Sequence, residues 1–482
     1  MNKLAGLFDI RVDIPQKNEI RSVVTKAKMK IGLLVHDPMT GEQFTIAKTI
    51  EHSAGLKPGD CGALVSLMDP TFPNSKFLGM HSAGTTNYGY ATILPQELVR
   101  EAIHAIDDSI VVVQSGDAFS SFEFLGEVSP APNAPTTTQL VKSSLYNKIP
   151  GCPPKMMPTV LREKDGVSPL DYAFSKYCKN KSVLDDRVLL RVALEKLDQL
   201  ESTDLNPSLP RIIWDNETAI FGDPHDQNVG GIDLSKSAGY PWNTIGLSKK
   251  SNFFSERPVD WDLPLTKRLI NSANSIFDNL LKGEEVEMPF TDFPKDELRP
   301  IAKVLAMRAR AVSGATFEMV IVTRRLCGSF TSSILRNKIR NNSGLGINEF
   351  SEDWQLAYEH LTLHSTNVFA GDYSSFDGSH TYQLIMTVCM IINKWYDDDY
   401  GLARETLFKS FAKSVHIYDG KKWKWNGGMP SGNPLTSIIN TIINELLMRY
   451  CHFFLCVTNN LGSFDDHVNA LYVGDDNVVC PS

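Results

Sequence analysis

The chain has 482 residues, enough for two or more domains that each bury a core of their own. Hydrophobic residues make up 42% and charged residues 22%, ordinary proportions for a globular protein. The formal net charge is −8, so bulk electrostatics do not attract nucleic acid, and any such binding must come from a local basic patch. The longest apolar runs, such as Leu384 to Ile392, fall short of the about 18 residues that a membrane span needs. The first residues lack the apolar core of a secretory leader. Eight scattered cysteines without a Cys-x-x-Cys pair argue against a disulfide framework or a zinc ribbon and fit a reducing cytosol.

Residues 1–95 read as β-rich, with alternating runs such as RSVVTKAKMKIGLLV and EQFTIAKTI broken by the turn residues of DPMTGE. Within them Cys61 sits in a Gly-Asp-Cys-Gly turn whose backbone N–H groups can converge on an oxyanion, and His81 follows 20 residues later. Taken singly, Cys61 reads more readily as a small buried cysteine in a glycine turn. A helix is expected over Leu94 to Ile106 from its apolar i, i+4, i+8 positions. The stretch 107–139, rich in Pro, Ser, Thr and Ala, reads as a linker or extended arm, with a domain boundary near Gln114. Beyond residue 140 the chain becomes helix-rich with interspersed strands.

Four stretches carry chemistry. FPKDELRPIAKVLAMRARAV gathers Lys295, Arg299, Lys303, Arg308 and Arg310 against Asp296 and Glu297. On an extended segment such cations can neutralise a triphosphate, although each alone reads as part of a solvated face. NVFAGDYSSFDGSH carries Asp372 after a strand-like run and Asp377 five residues on. Strand period would put them on opposite faces, whereas a strand that turns into a helix after Asp372 leaves both lining one cavity. GGMPSGNPLTSIINTIINELLMRY is a Gly/Pro loop running into a helix, with Ser431, Thr436 and Asn440 as polar groups beside it. ALYVGDDNVV predicts a hairpin with Asp475 and Asp476 at its tip. Alone, that is a solvated turn. Beside Asp372, two strand ends bearing carboxylates can hold two magnesium ions about 3.5–4 Å apart.

Together and in this order, the four stretches resemble the RNA-dependent RNA polymerases of picorna-like positive-strand RNA viruses over roughly residues 115–482. DYSSFD, SGNPLTSIIN and YVGDD resemble the family's three palm motifs. The resemblance implies catalytic metal ligation by Asp372, Asp475 and Asp476, and ribose recognition by Asp377 with Ser431, Thr436 and Asn440. Lys295, Arg299, Lys303, Arg308 and Arg310 inherit a triphosphate role. SKSAGYPWN looks like the template-entry motif, with Ser237 and Gly239 near the template strand. The implied cofactors are two Mg²⁺ ions, with Mn²⁺ able to substitute. The implied partners are an RNA template and primer, NTPs, a protein primer and other viral replication proteins. The implied place is the host cytoplasm, at virus-induced replication membranes reached through partners. The family usually has Tyr before Gly-Asp-Asp; here Val473 stands there, with Tyr472 one step earlier, and apolar packing is expected of it. A lysine motif, primer grip and thumb normally follow, so with six residues after Asp476 the polymerase is expected to be cut short.

The segment around Cys61 and His81 resembles the C-terminal barrel of the chymotrypsin-like cysteine protease that precedes the polymerase in picorna-like polyproteins. Cys61 then inherits the nucleophile role and His81 the pocket for a P1 glutamine. The catalytic base of that fold comes from an upstream barrel, so neither His36 nor His52 is assigned as base, and proteolytic inertness is expected. Gln114-Ser115 is the expected cleavage junction, with Gln139 a weaker one. The expected architecture is multi-domain: an all-β barrel over 1–114, then an α+β right-hand polymerase fold without its thumb. Its arm and fingers would cover 115–365 and its palm 366–482, with a fingers insertion near 400–425. Two other readings stay open. One is another palm polymerase such as a reverse transcriptase, against which Asp377 and the SG…T…N stretch weigh; the other is a non-catalytic RNA-binding replicase fragment.

Overall fold

The computed structural model describes residues 7–16, 19–36, 43–56, 63–68, 77–85, 87–93, 122–132, 135–146, 148, 153–177, 181, 183–254, 259–456 and 462–482. Two compact units result, Met1–Ile110 and Val111–Ser482. The helix expected over Leu94 to Ile106 lies outside the described residues.

Period-two alternation builds the first unit. Ile10, Val12 and Ile14 of β1 (Phe8–Gln16) point inward and are at most 2% exposed, while Asp9, Arg11 and Asp13 between them form surface ion pairs. The other strands are β2 (Glu19–His36), β3 (Gln43–His52), β4 (Leu64–Leu67), β5 (Phe77–Gly84) and β6 (Gly89–Ile93). They close an antiparallel barrel in the order β1-β2-β3-β6-β5-β4, with β4 pairing back onto β1. Ala27, Ile50, Val65, Leu67, Leu78 and Ala91 fill it.

Among the described residues the second unit holds three sheets. The largest has the order β11-β9-β13-β14-β7, from β7 (Phe122–Glu127), β9 (Phe290–Pro294), β11 (Ala311–Gly314), β13 (Val415–Tyr418) and β14 (Lys421–Trp425). A second pairs β8 (Met156–Pro158) with β10 (Leu298–Pro300). The third, β12-β16-β15, comprises β12 (Phe369–Gly371), β15 (Val468–Val473) and β16 (Asp476–Pro481). Part of the expected linker or extended arm is thus extended, as the edge strand β7. Phe122 and Phe124 alternate along β7 and lie against Trp425 and Trp423, at ring separations of 5.0 and 5.1 Å, partners supplied 300 residues later.

Seven helices carry most of the core: α1 (Asp186–Ser202), α2 (Pro264–Leu281), α3 (Phe317–Arg336), α4 (Phe376–Ser379), α5 (Tyr382–Tyr396), α6 (Gly401–Ala412) and α7 (Thr436–Leu455). Side chains of Asp185, Thr316 and Thr381 cap the N-termini of α1, α3 and α5. Val192, Leu269, Leu326, Ile385, Phe408 and Ile439 meet in one fully buried cluster. Among the described residues no helix is long and apolar enough to cross a membrane.

One charged cluster is sealed inside this core. Glu445 of α7 pairs with Lys196 of α1 at 2.6 Å and with Arg449 at 2.9 Å, and Asn342 donates to it at 3.0 Å. Burial alone would raise the Glu445 carboxyl, but the Lys196 and Arg449 charges outweigh it and hold the group below its ordinary value. Glu445→Gln leaves two buried cations short of a partner, so a loss of about 3–5 kcal/mol is expected in urea unfolding. A depressed carboxyl contributes stability fully above its unfolded pKa of about 4.3 and loses it as pH falls through the lower folded value. The gap between variant and parent should therefore narrow on acidification below that pH.

Candidate active site

The predicted hairpin forms, with Val473 opposite Asp476 and a two-residue turn of Gly474 and Asp475. Gly474 supplies the positive φ of 63° that the turn requires. On the other side of β16, β12 pairs through Gly371 and Asn477, so Asp372 leaves its strand beside Asp476. The chain then turns through Ser375 into α4, which carries Asp377. The strand-to-helix reading of DYSSFD is thereby met, with Asp372 just after β12 and Asp377 in the first turn of α4. Tyr472 is fully buried, whereas Val473 is 45% exposed, so the apolar packing expected of Val473 falls to its neighbour.

Helix α7 fastens this turn from behind. The Asn444 amide reaches the carbonyls of Gly474, Asp475 and Asp476 at 3.1, 3.1 and 3.2 Å, and Thr441 Oγ1 accepts the Gly474 N–H at 2.9 Å. Asn444 Oδ1 accepts from Asn477, whose own Oδ1 accepts the Gly371 N–H at 3.1 Å. One turn earlier on α7, Asn440 Nδ2 donates to Asp377 Oδ1 at 2.7 Å. Thr441, Asn444 and Asn477 went unread in the sequence. The available signal was the i, i+4, i+8 spacing of Thr436, Asn440 and Asn444 on an otherwise Ile/Leu-rich helix.

The Gly/Pro loop before α7 wraps α4. The N–H groups of Gly428 and Met429 donate to the carbonyls of His380 and Asp377, both at 2.8 Å. At Gly432 a Cβ would lie 1.7 Å from the Ser313 carbonyl oxygen of β11, so that approach admits only glycine. Ser431 Oγ accepts the Ser313 N–H at 3.1 Å, and Thr436 donates to the carbonyls of Pro430 and Asn433, each at 2.9 Å. Of the three residues expected beside the ribose, Asn440 alone is bonded to Asp377, while Ser431 and Thr436 brace the loop. Burial pushes the Asp377 carboxyl above its ordinary value, and the Asp475 charge adds to this against the Asn440 hydrogen bond and the Arg310 charge.

The basic stretch is less extended than expected, since Lys303 lies in a five-residue helix, Ile301–Leu305. Glu297 sits among Lys295, Arg299 and Arg310, at 3.6, 4.0 and 3.4 Å. Arg308 lies over the Tyr172 ring at 4.9 Å. Asp296 accepts from Thr138 and from the Gln139 backbone, both at 2.7 Å, which fastens the arm to this segment. Ser237 is exposed, and Gly239 (φ +74°) abuts the Ala315 carbonyl, where a Cβ would lie 2.3 Å away. In the barrel unit, His81 on β5 is 5% exposed and meets the His52 ring edge-on at 5.6 Å. Burial, with His81 adding, lowers the His52 pKa to about 4. Cys61, Gln114 and Ser115 lie outside the described residues.

Asp372, Asp475 and Asp476 offer the hard oxygen donors that magnesium prefers. Among the described residues no three His, Cys, Asp or Glu side chains form a ready-made cage. Magnesium is commonly bound by one or two carboxylates together with substrate phosphates, so the donor set fits.

Over most of its length the chain has the fold of a solved viral enzyme, the Sicinivirus 3Dpol RNA dependent RNA polymerase. The two are 23% identical with a TM-score of 0.59, covering 74% of this chain and 71% of that one. This defines a right-hand polymerase fold. A family profile described as viral RNA-dependent RNA polymerase matches residues 156–482. The chain belongs to that family. It is 27% identical over 488 residues to the replicase polyprotein of Drosophila C virus, covering 91% of this chain and 27% of the polyprotein. To the encephalomyocarditis virus genome polyprotein it is 29% identical over 475 residues, covering 96% of this chain and 18% of the polyprotein. The chain thus spans about a quarter or less of these curated relatives.

The Asn444 clasp generates a stability test. Asn444→Leu keeps volume but leaves three carbonyls and Asn477 without their partner, and about 1–3 kcal/mol should be lost in urea unfolding.

Proposed function

We propose that this chain carries the nucleotidyl-transfer centre of an RNA-dependent RNA polymerase that copies a positive-strand RNA virus genome. The observation that supports this most is the meeting of Asp372 with the Asp475–Asp476 turn on adjacent strands, beside an Asp377 tied to Asn440 at 2.7 Å. Asp372 and Asp475, with Asp476 next to them, would hold two Mg²⁺ ions, or Mn²⁺ in their place. Such ions supply a clamp on the attacking and leaving oxygens of an in-line displacement. Asp377 and Asn440 offer an acceptor and a donor for the ribose 2′-OH, the group that separates RNA from DNA precursors. Lys295, Arg299, Lys303, Arg308 and Arg310 neutralise the triphosphate as a primer 3′-OH, or the tyrosine hydroxyl of a protein primer, attacks the α-phosphorus. Ser237 and Gly239 line the template entry.

In this reading residues 115–365 form the arm and fingers and 366–482 the palm. The pairing of β13 with β9 supports taking 400–425 as an insertion that returns to the fingers. The six-stranded barrel is read as the C-terminal barrel of a chymotrypsin-like cysteine protease, with Cys61 as nucleophile, His81 in the P1-glutamine pocket and Gln114-Ser115 as the junction. Association with replication membranes would run through partner proteins.

Template-dependent incorporation of ribonucleotides in Mg²⁺ should fall by at least on the order of 10²-fold in Asp475→Asn. Equal rates in parent and variant would favour a non-catalytic RNA-binding fragment, and preference for dNTPs a reverse transcriptase. The chain should not cleave Gln-containing peptides. Efficient cleavage that disappears in His52→Ala or His36→Ala would contradict the assignment of the barrel.

A further inference from the structure

Three residues after Asp377 stands His380, fully buried at the C-terminal end of α4. Its Nε2 lies 2.9 Å from Asn440 Oδ1, and Asn440 Nδ2 lies 2.7 Å from Asp377 Oδ1. The chemistry of these three groups fixes the direction of both bonds. A carboxylate only accepts, so Asn440 turns its NH₂ toward Asp377 and its carbonyl oxygen toward His380. That oxygen needs a donor, so the imidazole carries its proton on Nε2. Burial, against the Asn440 hydrogen bond and helped by the Lys181 charge, lowers the His380 pKa to about 4, which keeps the ring neutral near pH 7. Its Nδ1 has no hydrogen-bond partner among the described residues, as suits the unprotonated nitrogen of that tautomer.

The ring has no freedom to leave. The Phe376 ring meets it edge-on at 4.5 Å. Its own carbonyl accepts from the Gly428 N–H at 2.8 Å and from Lys181 Nζ at 2.9 Å. An Asn amide has nearly the same shape after a half-turn, so nothing steric prevents Asn440 from presenting its oxygen to Asp377. In this site a half-turn would set oxygen against carboxylate and NH₂ against N–H, and both hydrogen bonds would be lost together.

We propose that His380 is a positioning residue for sugar selection: its Nε2–H locks the Asn440 amide so that Asn440 and Asp377 present one fixed pattern to the nucleotide's 2′-hydroxyl. This rests on the reading of Asp377 and Asn440 as the ribose-sensing pair. His380 touches neither sugar nor phosphate. It acts through Asn440, and its effect is on discrimination between ribo- and 2′-deoxyribonucleotides.

The test is equilibrium binding of ATP and of 2′-deoxyATP in Mg²⁺ to the 482-residue chain, followed by tryptophan fluorescence. Thermal melting runs beside it, and kcat and KM for both nucleotides are measured where the chain turns over. His380→Leu removes the donor; His380→Gln keeps one at similar reach. The ATP/2′-deoxyATP affinity ratio should drop about tenfold in His380→Leu, the loss of about one hydrogen bond's discrimination. Binding of 2′-deoxyATP should stay nearly unchanged, and where turnover is measured the change should lie in KM for ATP more than in kcat. His380→Gln should restore most of the ratio. A parental ratio in folded His380→Leu overturns the proposal, and so does an equal loss of both nucleotides in both variants, which is a packing defect. Asp377→Ala separates the two levels. If it collapses the ratio while His380→Leu does not, the positioning role alone fails; if it leaves the ratio intact, or if the parent does not prefer ATP, the ribose-sensing reading fails and the proposal with it.

Discussion

Carboxylates repel one another, and a two-residue turn is too short to hold a pair of them against a third without outside support. In this chain the support is one helix. Asn444 of α7 grips three successive carbonyls of the Gly474–Asp476 turn while Asn440, one helical turn away, grips Asp377. Because a helix rises about 1.5 Å per residue, the four-residue step sets the spacing between the two attachments. The acids therefore inherit the rigidity of a long buried helix in place of the mobility of a hairpin tip. Glu445, Lys196 and Arg449 reinforce the same helix within the core, so the charged cluster and the acidic site share one foundation.

The second constraint is close packing of backbone against backbone. Gly432 meets the Ser313 carbonyl of β11, and Gly239 meets the carbonyl of Ala315 just beyond that strand. β11 follows directly on the basic stretch that ends in Arg310. The Gly/Pro loop, the candidate template-entry segment and the end of the basic stretch are thus registered on one short strand. The Arg310 charge acts at Asp377 against the rise that burial imposes on its carboxyl.

Much of this was legible in the sequence, for local reasons. The hairpin, the strand-to-helix turn after Asp372 and the loop-to-helix step before Thr436 are each written within about ten residues by periodicity and by Gly or Pro. What escaped depends on partners far away in the chain. Thr441 and Asn444 look like minor polar breaks in an apolar helix until the turn some 30 residues on is folded against them. β7 looks like linker because its Pro- and Ser-rich surroundings dominate the composition, and the Trp423 and Trp425 rings that make Phe122 and Phe124 strand-like lie far downstream. Thr436 and Ser431 carry the residue types of a sugar site, but Thr436 donates to the loop itself and Ser431 accepts from Ser313 of β11. The β-rich character of the first unit was readable from its alternation and its barrel was expected only from the resemblance, whereas Cys61, Gln114 and Ser115 fall outside the described residues.

The central claim is that Asp372 and the Asp475–Asp476 turn form a two-metal site that faces a ribose read by Asp377 and Asn440. Its most direct test is a crystal structure with Mn²⁺ and a non-hydrolysable ribonucleotide, with the ions located by anomalous scattering. The account predicts two anomalous peaks about 3.5–4 Å apart between Asp372 and Asp475, and a 2′-hydroxyl within hydrogen-bond reach of Asp377 and Asn440. Ions bound elsewhere, or a ribose turned away from Asp377, would contradict it.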